Sequence, residues 1–316
     1  MEIIKLSPVF KQYIWGGDNI KKIYGKDTPC PPVAESWEIS AHPDGLSVAI
    51  NGIYRGMTIP EIVKKYGSEF YGDSMKEGEE FPLLLKILDA EDNLSVQVHP
   101  DDEYAYKNEN GGKGKTEAWY ILSANEGAEL IYGFNKDVTK EEFAASINEG
   151  KLDEILNRVP CKAGDVFYIP AGTVHAVGKG MMIAEIQQSS NTTYRVYDYN
   201  RRDKNGNLRE LHIEKAIDVS DLKSSKNKEK TLGDIKETKG TTVKTFIDNE
   251  FFGFDELTVN ESFIGNTENK LHLALVIEGD FEINGVNFKK GESALIPAST
   301  GEYKICGNGV VLRYWK

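Results

Sequence analysis

The chain has 316 residues, enough to bury a substantial core in one large domain or in two to three smaller ones. Its 28% charged and 40% hydrophobic residues are those of an ordinary globular protein and exclude extensive disorder. A formal charge of -12 without a dense Lys/Arg tract excludes a general nucleic-acid binder, yet a few cations in a cleft could still take a small phosphorylated ligand.

In chain order, residues 46–50, 83–88, 95–98, 117–122, 129–132, 166–169, 181–187 and 193–197 have strand character, and turn residues separate most of them. Two helical insertions interrupt them. Thr58-Ile59-Pro60-Glu61 has capping-box spacing and opens a helical region over 58–75. Thr139-Lys140-Glu141-Glu142 has the same spacing and opens a second over 139–158, where Leu152, Ile155 and Leu156 continue a helix-period apolar face past Gly150. The glycine-rich 111–115 loop is neither a Walker A sequence nor a dinucleotide fingerprint, so it gives ATP or NAD little support and leaves Lys115 as its functional candidate.

A polar segment over 220–240 connects to a second set of strands at 242–247, 252–259, 273–277 and 281–283. The run Gly291-Glu292-Ser293-Ala294-Leu295-Ile296-Pro297-Ala298 then echoes Gly164-Asp165-Val166-Phe167-Tyr168-Ile169-Pro170-Ala171. Each is a glycine turn, an acid, an apolar strand and a Pro-Ala stop, which predicts two related β modules, 1–219 and 241–316. Only the first continues to a histidine, so the second is expected to lack a metal site. No regular helices alternate with strands, which favours a sandwich or barrel over a doubly wound sheet.

Gln97 and His99 stand two apart in a β-patterned run and project from one face. With Glu117 and His175 they offer two imidazoles, a carboxylate and an amide oxygen, a mixed set that suits zinc with a position left for water or substrate. His42, His212 and His272 lack such surroundings and read as hydrogen-bonded structural groups, and Trp15, Trp37 and Trp119 as core or pocket walls. Cys30, Cys161 and Cys306 are too few and scattered for a disulfide framework or a thiolate metal site, and no apolar run reaches the roughly 18 residues of a membrane span. An intracellular, cytoplasmic setting is the expectation, with no membrane or nucleic-acid partner.

The segments Ser95 to Asp101, Gly114-Lys115-Thr116-Glu117, Pro170 to Ala176 and Glu185 to Arg195, with Trp15-Gly16 and Glu35-Ser36-Trp37-Glu38 before them, occur in an order that resembles the type I mannose-6-phosphate isomerase family in its short bacterial form. The resemblance covers essentially the whole chain. It implies a mainly β fold of two cupin modules, each a jelly-roll β-barrel, with a small inserted α-helical region. It implies one zinc ion per chain on Gln97, His99, Glu117 and His175, Arg195 as the active-site arginine, and Ser95, Lys115 and Arg201 lining a sugar-phosphate site. Longer eukaryotic members have a lysine where this chain has Arg201. The implied activity interconverts mannose 6-phosphate and fructose 6-phosphate, with a small phosphorylated sugar as the partner and no obligate protein partner. Glu185 is one candidate proton carrier, and a solvent-derived base at the metal is the other. A different metal-dependent sugar-phosphate isomerase or epimerase, a cupin oxygenase, and a non-catalytic sugar-binding cupin are the rival readings.

Overall fold

A computed structural model describes residues 1–202, 205–227, 229–238 and 240–316. Three sheets form stacked layers. The central one has six strands in the order Val166–Ile169, Glu117–Ala124, Met181–Gln188, Leu83–Ala90, Glu35–Ile39 and Val9–Lys11. Its Leu83, Leu85, Ile87, Ala184 and Ile186 pack against the sheet of the second module, while Leu88, Trp119, Ile121 and Phe167 pack toward a five-stranded sheet. That five-stranded sheet runs Tyr194–Tyr197, Val96–Val98, His175–Ala176, Glu129–Phe134 and Leu156–Pro160. Burial on both faces explains why Leu83–Ala90 is apolar on both sides rather than alternating, with Lys86 and Asp89 as its two buried charges.

The expected closed barrels do not form. The six-stranded sheet ends at Val9–Lys11 and Val166–Ile169, the five-stranded sheet at Tyr194–Tyr197 and Leu156–Pro160, and no ladder among the described residues joins them. Each layer is open, and side chains rather than hydrogen bonds hold one layer to the next. Short strands separated by turns bury one face in either arrangement, so local patterning does not distinguish an open sandwich from a barrel.

The second module repeats the six strands of the central sheet. Within a ten-stranded sheet, Ser293–Ile296, His272–Glu278, Glu302–Trp315, Gly253–Asn266, Thr241–Asp248 and Asp234–Thr238 lie in the spatial and chain order of the six central strands. The echoed segments occupy matching places: Ile169 stands opposite Glu117 and Ile296 opposite His272. Asp234–Thr238 falls inside the polar stretch 220–240 as an exposed edge strand; residues 228 and 239 of that stretch lie outside the described residues. The sheet also takes in Ile4–Ser7, which pairs with Ser293–Ile296 on one side and Val48–Ala49 on the other.

Both capping boxes are present, at Thr58 with Glu61 and at Thr139 with Glu142, and they start the helices Ile59–Tyr66 and Lys140–Asn148. The second helix stops before Gly150, whose φ of 68° suits glycine. Beyond it, Leu152–Glu154 is a single 3-10 turn and Leu156–Pro160 a strand, so the helical reading of 152–158 is corrected. Leu152, Ile155 and Leu156 are buried as expected, in a cluster with Phe134 and Phe143, but an apolar spacing this short fits a turn and strand as well as a helix. Among the described residues no helix is long and apolar enough to cross a membrane.

Candidate metal centre

Gln97 lies in the strand Val96–Val98, and the strand His175–Ala176 places His175 directly opposite it. Glu117 opens a strand of the facing sheet, so the three residues meet between two layers. Ligand atoms of His99, Glu117 and His175 lie within 4.8 Å of one another, and all three residues are buried. His99 Nε2 is 3.4 Å from Glu117 Oε2 and His175 Nε2 is 3.3 Å from Oε1. The opposite ring nitrogens donate to backbone carbonyls, His99 Nδ1 to Thr192 at 2.9 Å and His175 Nδ1 to Thr173 at 2.8 Å. Those bonds fix the tautomer that turns both Nε2 lone pairs inward, as metal-ligating histidines require.

The Glu117 carboxylate is the least satisfied group in the core. Neither oxygen accepts a well-aligned hydrogen bond, although Lys115 Nζ lies 2.7 Å from Oε2 and donates to His99 Nε2 at 3.2 Å. Burial would raise its pKa, but Lys115 and then the two imidazoles hold it well below the usual carboxylate range. Burial, reinforced at His99 by Lys115, pushes His99 down to about 3 and lowers His175, which keeps both rings neutral and able to coordinate. A dry carboxylate without aligned donors, flanked by two neutral imidazoles, fits one divalent cation such as zinc.

Gln97 reaches this cluster through its amide, 3.4 Å from His175 Nε2, and its Oε1 accepts from Ser95 Oγ at 3.3 Å. Arg195 stands in register with Gln97, and its Nε donates to Ser95 Oγ at 3.3 Å. Lys115 sits among the metal-binding side chains rather than apart from them. Arg201 is bound to Asp92, Asp198 and the Asn93 carbonyl.

Glu185 is buried beside the cluster, on the strand next to that of Glu117 and opposite Trp119 on the same face of the central sheet. It accepts from Trp119 Nε1 at 3.0 Å and pairs with Lys86 Nζ at 3.1 Å, while the Trp119 ring stands edge-on to His175 at 5.3 Å. Burial raises the Glu185 pKa against the pull of Lys86. Lys86 was not singled out from the sequence, although a lone cation inside the apolar run 83–88 was a usable signal. The ion pair of Asp198 with Arg209 was also not read from the sequence; the two lie in a polar stretch whose residues meet only in the fold.

At the matching positions of the second module, His272 stands where Glu117 does, and Asp255 with Arg313 stands where Lys86 with Glu185 does. The buried pair is kept with its charges exchanged. Among the described residues, His99, Glu117 and His175 form the single group suited to a metal ion.

Residues 3–143 match the family description "Phosphomannose isomerase type I, catalytic domain", and residues 242–315 match "Mannose-6-phosphate isomerase, cupin domain". The chain is 44% identical to mannose-6-phosphate isomerase ManA of Bacillus subtilis, over 97% of this chain and 96% of that one. A mannose-6-phosphate isomerase of Streptococcus mutans is 53% identical over 65% of this chain and 64% of its own. The crystal structure of mannose 6-phosphate isomerase from Bacillus subtilis superposes with a TM-score of 0.93 at 38% identity, covering 99% of each chain. On these similarities across nearly its whole length, with the buried histidine and glutamate cluster at its centre, the chain belongs to the type I mannose-6-phosphate isomerase family.

Proposed function

We propose that this chain is a zinc-dependent aldose-ketose isomerase that interconverts D-mannose 6-phosphate and D-fructose 6-phosphate in the cytoplasm. The observation that carries the reading is the buried Glu117 carboxylate facing two inward-turned imidazoles. In this reading residues 1–219 form the catalytic module, 220–240 the connector and 241–316 a module without metal; His99, Glu117, His175 and Gln97 hold one ion. When bound, the ion supplies a Lewis acid that polarises the sugar oxygens at C1 and C2.

The residues of the chain supply the rest. The reaction removes a proton from C2 of the aldose and delivers one to C1, through an enediol whose O1 gains and O2 loses a proton. Arg195, pinned by Ser95 and by the Glu210 carbonyl at 2.9 Å, cannot act as the base and instead stabilises developing oxygen charge. Glu185 carries the proton, with Lys86 and Trp119 fixing its carboxylate. Lys115 belongs to the reacting end of the sugar in this reading, because its ammonium is spent beside Glu117 and His99.

A coupled assay of mannose 6-phosphate conversion, on protein of known metal content before and after chelation, tests the reading. Turnover lost on chelation and restored by zinc is expected. Folded, zinc-loaded protein without turnover would transfer the site to another sugar phosphate or to binding alone.

A further inference from the structure

In the second module His272 begins the strand His272–Glu278 at the interior place that Glu117 takes in the first, and it is 5% exposed. Its Nδ1 lies 2.8 Å from the Tyr303 hydroxyl. That hydroxyl also accepts from Arg313 Nη1 at 3.3 Å, and its own proton has one acceptor in reach, the imidazole. Tyr303 therefore donates to Nδ1, and a neutral His272 carries its proton on Nε2. Burial, followed by the charges of Arg313 and Lys270, holds the ring down to about 3, so it is neutral near pH 7. Nε2 donates to no protein atom among the described residues, and it is not one of the polar atoms sealed in the core.

A cavity of about 310 Å³ opens at this end of the module, with His272, Arg313, Trp315, Phe263 and Lys270 in its wall. Tyr303 is not in that wall, so His272 turns its Nδ1 edge inward and meets the cavity with the other. Arg313 is stacked between two rings, its guanidinium carbon 5.2 Å from the Phe263 centroid and 5.4 Å from that of Trp315. Its Nε and Nη2 hold Asp255 and its Nη1 holds Tyr303, which leaves one N–H on each terminal nitrogen. The Trp315 indole lies flat on Gly253, where a Cβ would collide with it, so glycine at 253 keeps this wall in place.

The inner end of the cavity offers donors and no free acceptor. Asp255 is spent on Arg313, whereas Lys270 forms no ion pair among the described residues. Asp248 and Glu268 also line the cavity, but both are exposed and neither is among the charges His272 feels, which places them at the rim.

We infer that the second module binds a small carboxylate with a flat apolar body in this cavity. His272 Nε2 and the unspent N–H groups of Arg313 meet the carboxylate, Lys270 balances its charge, and Trp315 and Phe263 wall its body. A dry cavity of about 150 Å³ takes up benzene, so about 310 Å³ has room for a ring and a carboxylate. The site is independent of the isomerase reading.

Calorimetry on the zinc-loaded full chain tests the inference, with benzoate as the probe and benzamide as its uncharged counterpart. Benzoate should bind at least about 10-fold more tightly than benzamide, the lower end of what hydrogen bonds to a charged group contribute. Its affinity should be the same after chelation of the zinc. H272F keeps a ring of similar size without the donor and should weaken benzoate about 10- to 100-fold. K270M, at a half-buried position on the wall, should weaken it about two- to fivefold and decides the question if H272F does not fold. Absence of benzoate binding at millimolar concentration, benzamide binding as tight as benzoate, or unchanged benzoate affinity in either variant overturns the inference. Binding that vanishes on chelation places the carboxylate on the metal and overturns it as well.

Discussion

Replacing Lys86 by methionine isolates what the buried pair beside the metal centre does. Lys86 is 3% exposed and Glu185 4% exposed, and they face each other across adjacent strands. Methionine preserves most of the aliphatic stem but leaves Glu185 with a single neutral donor, Trp119 Nε1. The carboxyl then remains buried and charged or takes up a proton. Protonating a glutamate of ordinary pKa, ~4.3, at pH 7 costs about 3.7 kcal/mol at 1.36 kcal/mol per unit. Removing one partner of a buried pair costs about 3–5 kcal/mol, so the two routes agree. The double variant Lys86→Met with Glu185→Gln removes the charge while keeping an acceptor for Trp119, and should lose only about 1–2 kcal/mol. Urea unfolding of the zinc-loaded proteins at pH 7 gives both values. The single-variant deficit should shrink toward pH 4, because a glutamate whose folded pKa is raised loses stability as pH rises above its unfolded value. A single variant within 1 kcal/mol of wild type, or a double variant no more stable than the sum of its parts, would refute the pairing argument.

Three further outcomes are expected. Glu117→Gln should weaken zinc binding by at least about 100-fold, beyond the effect of changing groups that only orient the ligands, and a dialysed variant still holding one zinc per chain would remove Glu117 from the metal site. Glu185→Gln should cut turnover by about 10²- to 10⁴-fold with zinc content unchanged, whereas near-normal turnover would rule it out as the proton carrier. In the second module burial holds His272 down to about 3 while an unfolded histidine titrates near ~6.5, so the unfolded chain binds the extra proton between those values. Stability should therefore fall as pH drops through that window. His272→Gln should flatten that part of the acid limb, and an unchanged slope in denaturation across the window would contradict the burial argument.

The ligand set was legible mainly through the order of four separated family motifs; strand spacing by itself tied together only Gln97 and His99. The central strands were legible because continuous apolar runs need burial on both faces. Other parts depended on distant partners. Glu302–Trp315, a 14-residue strand, contains Gly307, Asn308 and Gly309, which read locally as a turn; pairing with Gly253–Asn266 over its whole length overrides them. Lys86 looked like an interruption of an apolar run, and only the register with Glu185 explains it. Arg209 shows no periodicity, and its partner is Asp198, eleven residues earlier. Closure of a barrel depends on whether edge strands meet, a property no single segment carries.

The pairing of Ile4–Ser7 with Ser293–Ile296 sets an order of events. During synthesis the first strand emerges long before its partner, and at about 5–20 residues per second it waits roughly 15–60 s. Through that interval its backbone donors and acceptors form an open edge, and the apolar side chains Ile4 and Leu6, buried in the finished protein, have no core of their own. The seam between first and last strands therefore closes late. A chain stopped before residue 293 would retain the metal-binding residues yet expose an adhesive strand at its front, making premature termination an aggregation hazard rather than a simple loss of the second module.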